Sequence, residues 1–137
     1  MNPSILVLLL VLCTVLPADG QDFKKFKAKH VNGAMDPSMC TEEMKKINES
    51  PLKAKKHICK PRNTFILDTI DKIKEVCNLP PYKGDFRESG KTFTIVDCIT
   101  KSTKKPCVYT GEKKNNAAIY IACVKKLPVH YGKPKKQ

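Results

Sequence analysis

The chain has 137 residues, enough for one domain and too few for two separate cores. With 41% apolar residues and no Trp, the core it can build is modest. Lys and Arg outnumber Asp and Glu by 26 to 13, a net charge of +13 that excludes a cationic partner and points to a polyanion such as nucleic acid, an anionic cell-surface glycan or a bacterial envelope.

Ile5 to Leu16 is nearly all apolar and fits the centre of a secretory signal. Ala18-Asp19-Gly20 then puts small residues at the two positions a signal peptidase reads, and the apolar run is too short to span a membrane. Residues 1–20 are expected to be a signal peptide and residues 21–137 a single secreted, extracellular domain. All 26 basic residues and 12 of the 13 acids lie after Gly20, so that domain carries +14. Cys13 leaves with the signal. Cys40, Cys59, Cys77, Cys98, Cys107 and Cys123 remain, an even set that reads as three disulfides with about fifteen pairings open. No two cysteines have the close spacing of a zinc site, so neither a metal nor another cofactor is expected.

Asp22 to Val31 reads as an amphipathic helix. Phe26 and His30 are four apart and share its packed face, with Lys24, Lys25, Lys27 and Lys29 around the rest. Asn32-Gly33 ends it, and Asp36-Pro37-Ser38 reads as a linker. Cys40 to Ile47 reads as a second helix with Thr41 as N-cap, Glu42 and Glu43 at its positive end and Lys45 and Lys46 following. Asn48-Glu49-Ser50 is a glycosylation sequon whose use the next residue, Pro51, lowers. Lys53, Lys55, Lys56 and His57 form a basic run: a solvated loop, a phosphate or glycan patch, or a localisation signal after uptake toward the nucleus.

Pro61 fixes its own φ and biases Lys60 toward extended backbone, and Thr64 to Leu67 then reads as a strand. Asp68 to Cys77 reads as a third helix, capped by Asp68 and stopped by Asn78-Leu79-Pro80-Pro81. Tyr82 to Lys91 reads as a hairpin or surface loop, Thr92 to Thr100 as a strand, and Gly111 to Asn116 as a polar turn after Cys107-Val108-Tyr109-Thr110. Ala117 to Val124 and Leu127 to Tyr131 are the last strands, followed by a basic tail. Helices interleaved with strands early, then a run of antiparallel strands, is an α+β pattern.

Three ionisable residues stand out from the lysine background: His30, Lys60 and His130. Two histidines and a lysine suit phosphodiester cleavage without a metal, since one imidazole takes a proton while an imidazolium gives one. The lysine supplies charge where the transition state becomes more anionic. Spacing alone does not bring the three together.

The stretch Cys59-Lys60-Pro61-Arg62-Asn63-Thr64-Phe65 matches a cysteine-lysine-any-any-asparagine-threonine-phenylalanine signature at every fixed position. Phe26-Lys27-Ala28-Lys29-His30 and Leu127-Pro128-Val129-His130-Tyr131 match the two segments that carry the catalytic histidines of the same family. With the order and spacing of its cysteines, the chain resembles the pancreatic ribonuclease superfamily of vertebrates over essentially all of residues 21–137. Six cysteines rather than eight resembles its angiogenins and many non-mammalian members.

The resemblance implies three helices packed on a bent antiparallel sheet, with bridges Cys40–Cys98, Cys59–Cys107 and Cys77–Cys123. It implies a monomer that binds RNA. His30 would be the general base, His130 the general acid and Lys60 the stabiliser of the transition state. Thr64 would read a pyrimidine edge with Asp97 behind it, and Asn63 and the Tyr131 backbone would line the phosphate site. Lys25 is a further candidate for substrate binding, and Lys29, a departure from the family pattern, would either add a phosphate contact or depress the His30 pKa by like charge. Tyr131 stands where the family usually has phenylalanine, Gly132 where many members have an aspartate, and Lys29 where mammalian enzymes have glutamine. The functions open at this point are a secreted pyrimidine-preferring ribonuclease, an angiogenin-like signal with weak nuclease activity, and a cationic antimicrobial protein.

Overall fold

A computed structural model describes residues 18–51 and 57–134. The basic run at Lys53, Lys55 and Lys56 and most of the expected signal peptide lie outside the described residues. The elements in order are α1 (Ala18–His30), a 3-10 turn (Pro37–Met39), α2 (Cys40–Asn48), β1 (Arg62–Ile66), α3 (Ile70–Glu75) with a 3-10 turn (Val76–Asn78), β2 (Phe86–Ile99), β3 (Thr110–Val124) and β4 (Leu127–Tyr131). The strands form one antiparallel sheet in the order β1-β2-β3-β4, with register shifts along β2 and β3 that bend it.

Successive residues of a strand point to opposite faces, and here both faces are covered. Ile66 and Ile95 join Phe26 of α1, Ile73 of α3, Ile119 and Ile121 in one core. Their neighbours Phe65 and Val96 join Met44 and Ile47 of α2 and Tyr109 in the other. This is why β1 and β2 carry apolar doublets rather than strict alternation. The bridges are Cys40–Cys98, Cys59–Cys107 and Cys77–Cys123. They tie α2 to β2, the approach to β1 to the approach to β3, and the turn after α3 to β3. In a domain this size, losing one such bridge typically costs about 2–5 kcal/mol.

Several local expectations change. Gly111–Asn116 is part of β3, not a turn: Gly111 pairs with Cys98, Glu112 with Asp97 and Lys114 with Ile95. The segment is polar because its side chains face water while β2 satisfies its backbone. Asn116, at φ 53°, marks a bulge between the pairs Ile95–Lys114 and Phe93–Ala117. Of the two readings of Tyr82–Lys91, the structure takes the hairpin: Lys83 and Phe86 form an antiparallel bridge around Gly84, and β2 starts at Phe86. Asp36-Pro37-Ser38 enters a 3-10 turn capped by the Asp36 carboxylate, which accepts from Ser38 N at 2.9 Å. That turn runs straight into α2, so Thr41 lies inside the helix and caps nothing. Thr69, not Asp68, caps α3.

Candidate active site

His30 closes α1 and is buried, its ring 5.3 Å from that of Phe26 in the core. Its Nδ1 lies 2.8 Å from the carbonyl oxygen of Thr64. A carbonyl only accepts, so Nδ1 carries the proton and the neutral ring keeps its lone pair on Nε2. Burial pushes the His30 pKa down from 6.5 to about 3. The Thr64 carbonyl opposes this, while the charges of Lys60, Lys29 and His130 add to it.

Lys60 lies between the Cys59–Cys107 bridge and Pro61. Its Nζ donates to Asn63 Oδ1 at 2.8 Å, and Asn63 Nδ2 donates to the Lys29 carbonyl at 2.7 Å. Asn63 is therefore a buried bridge from β1 to α1. Burial, then the Lys29 charge, pushes the Lys60 pKa down from 10.5 to about 8.

Thr64 sits opposite Asp97 in the β1–β2 register. Its hydroxyl donates to Asp97 Oδ1 in a short hydrogen bond. Arg62 and Lys114 reach Asp97 Oδ2 at 2.9 and 3.2 Å. Burial alone would raise the Asp97 carboxyl, but these three donors and the Arg62 charge outweigh it and hold the group below the usual carboxylate range. Sequence reading left Arg62 without a role and did not pick out Lys114. The only signal was alternation: Arg62 and Thr64 share a face of β1, and that signal needs the register to become useful.

His130 is exposed on β4, which pairs with the core strand β3. Its neighbour Tyr131 turns the other way and stacks on His30 at 5.2 Å between ring centres. Burial raises the Tyr131 phenol, and Asp97 adds to this, while a hydrogen bond with Thr64 and the Arg62 charge oppose it. Two adjoining clefts share His30, Lys60 and Tyr131. One, of about 670 Å³, runs past Asn63, Thr64 and Asp97 to Lys133 and is large enough for a nucleotide. The other contains His130, Lys25 and Lys29. The fold thus gathers His30, Lys60, His130, Lys25, Lys29, Asn63, Thr64, Asp97 and Tyr131 around one seam. Among the described residues, no three His, Cys, Asp or Glu side chains gather as metal ligands.

Three bridges, two cores on one bent sheet and a cationic double cleft define a small disulfide-tied α+β class, and the comparisons with known proteins fall in it. Residues 21–134 match the pancreatic ribonuclease family model. Angiogenin-3 of Mus musculus is 36% identical over 96% of this chain and 94% of its own. Pancreatic ribonuclease of Iguana iguana is 31% identical over 81% and 96%. A match to angiogenin-1 of Bos taurus, 41% identical, spans 53% of this chain and only 52% of that protein. The X-ray structure of zebrafish RNase5 superposes with a TM-score of 0.75 at 29% identity, covering 88% of this chain and all of that one. The chain belongs to the pancreatic ribonuclease family. It is an endoribonuclease of the pancreatic type, and RNA is its substrate.

Proposed function

We propose that this protein is secreted, with residues 1–20 as its signal, and cleaves RNA on the 3′ side of pyrimidines through a 2′,3′-cyclic phosphate. The observation that carries the reading is the bond from His30 Nδ1–H to the Thr64 carbonyl. It leaves Nε2 as a base beside the Lys60 cation. His30 takes the proton of the ribose 2′-hydroxyl, whose oxygen attacks phosphorus. Lys60 neutralises the charge that builds on the phosphoryl oxygens. His130, on the other side of the seam, gives a proton to the departing 5′-oxygen. The substrate's own 2′-hydroxyl is the nucleophile, so RNA is cut and DNA is not.

Substrate binding tunes the base. An arriving phosphodiester anion offsets the Lys29, Lys60 and His130 charges that help depress His30, so the ring becomes more basic when RNA is in place. Thr64 lines one cleft, where its backbone N–H and hydroxyl would meet the base, and Lys25 and Lys29 line the other, where they would meet neighbouring phosphates.

A second reading, an angiogenin-like signal or a cationic antibacterial protein, is favoured by the +13 charge and by relatives that carry the angiogenin name. One experiment separates them. Wild type and His130→Ala are assayed for cleavage of RNA and for killing of bacteria on the same samples. The ribonuclease reading expects cleavage to collapse in the variant, and intact cleavage would overturn the mechanism. Killing that survives in the variant and falls with added salt supports the charge-driven reading.

A further inference from the structure

We infer that Asn48 is a positioning residue for Lys60, acting as one ring with Tyr109, and that its amide serves this bond network in place of the sequon it heads. The inference rests on the reading of Lys60 as the cation at the transition state. Lys60 N donates to Asn48 Oδ1 at 2.9 Å. Asn48 Nδ2 donates to the Tyr109 hydroxyl oxygen at 2.9 Å. The Tyr109 hydroxyl donates to the Lys60 carbonyl at 2.6 Å. The three bonds close on themselves, and both backbone polar groups of Lys60 are engaged.

The ring is built on rigid parts. Asn48 ends α2, and Thr41 lies seven residues earlier on the same face of that helix. The Thr41 hydroxyl accepts from Tyr109 N at 3.0 Å. One helix face therefore holds Tyr109 by its backbone at one end and its phenol at the other. Cys40 anchors the start of α2 to β2, and Cys107, two residues before Tyr109, is bridged to Cys59 beside Lys60. Tyr109 is buried at 6% exposure, and its hydroxyl is engaged on both sides, accepting from Asn48 and donating to Lys60.

A lysine ammonium rides on a flexible four-carbon stem. Here the stem is fixed at both ends: the ring holds the backbone, and Asn63 holds Nζ. Small misplacements of a charged group at a reacting centre are costly in rate. Loss of the ring is therefore expected to act on turnover through Lys60.

The test is a double-mutant cycle read as kcat and KM on a dinucleotide, well below the melting temperature of every variant. Asn48→Ala and the shape-conserving Tyr109→Phe are each expected to lower kcat about tenfold with KM little changed. In a Lys60→Ala background, Asn48→Ala is expected to change kcat by less than about twofold, because the group it positions is gone. Ser50→Ala, which removes the sequon and keeps the amide, is expected to retain wild-type kcat. If Lys60→Ala loses activity while Asn48→Ala and Tyr109→Phe keep it, the positioning role is wrong. An equal loss from Asn48→Ala in both backgrounds also overturns it, because the effect is then structural. Full activity in Lys60→Ala would sink the underlying reading of Lys60 instead, and the inference with it.

Discussion

His30 donates its Nδ1 proton to the carbonyl of Thr64, 34 residues further along the chain. One hydrogen bond thus links the residue proposed to move the proton to the residue proposed to read the base. It also sets the tautomer, so the nitrogen left free is the one that can act as base.

Replacing either histidine should stop cleavage. General acid and base steps contribute roughly 10²–10⁴ each, so His30→Ala and His130→Ala should lose at least about a hundredfold in kcat/KM on a dinucleotide. His130 is exposed, and its variant should melt as wild type does. An active His130→Ala protein would remove it from the role of acid.

The buried His30 should make the fold sensitive to acid. Its folded pKa of about 3 lies below the ordinary 6.5, so the unfolded chain takes up the proton first as pH falls. The contribution is complete above pH 6.5 and is lost progressively toward pH 3. By pH 5 the loss is ~2 kcal/mol. Urea unfolding at pH 7.5 and pH 5 should show this difference in wild type and a smaller one in His30→Asn.

Lys60 should set part of the alkaline limb of activity. With its pKa pushed down to about 8, it sheds its charge as pH rises through that value. Arginine stays charged throughout. The ratio of kcat/KM for Lys60→Arg to wild type should be flat below pH 8 and rise above it. A flat ratio up to pH 10 would show that Lys60 stays charged across the range.

Asp97 should bias the choice between pyrimidines. The Thr64 hydroxyl gives its proton to Asp97, so a base read by Thr64, as proposed above, would meet its oxygen as an acceptor. Uracil offers a donor at N3, and cytosine does not. Asp97→Ala should therefore lower cleavage after uridine more than after cytidine, by about three- to tenfold. Equal losses on matched dinucleotides would place Asp97 in a purely structural role.

Gly111 should tolerate no side chain. A Cβ there would lie 2.6 Å from the Pro37 carbonyl oxygen and 2.8 Å from Cys40 Sγ. Neither backbone nor a bridged cysteine yields easily, so Gly111→Ala should cost about 1–3 kcal/mol. Thermal melts should show it, while kcat at low temperature changes little because the contact lies away from the clefts.

By itself the sequence determined the class of fold, the family and the catalytic candidates. These rest on local chemistry: a seven-residue signature, two histidine segments, and six cysteines in a set order. It was less reliable where local chemistry is ambiguous. The polar run Gly111–Asn116 reads as a turn because its side chains are solvated, yet pairing with β2 makes it strand. Thr41 reads as a cap because nothing local shows that α2 continues from a 3-10 turn. Only the tertiary structure decided how the candidates meet. The β1–β2 register set Thr64, Arg62 and Asp97 together, and the end of α1 beside β1 selected the His30 tautomer. The approach of α2 to Tyr109 engaged Asn48 with Lys60. Such bonds join residues tens of positions apart, and sequence spacing carries no measure of the distance between them in space.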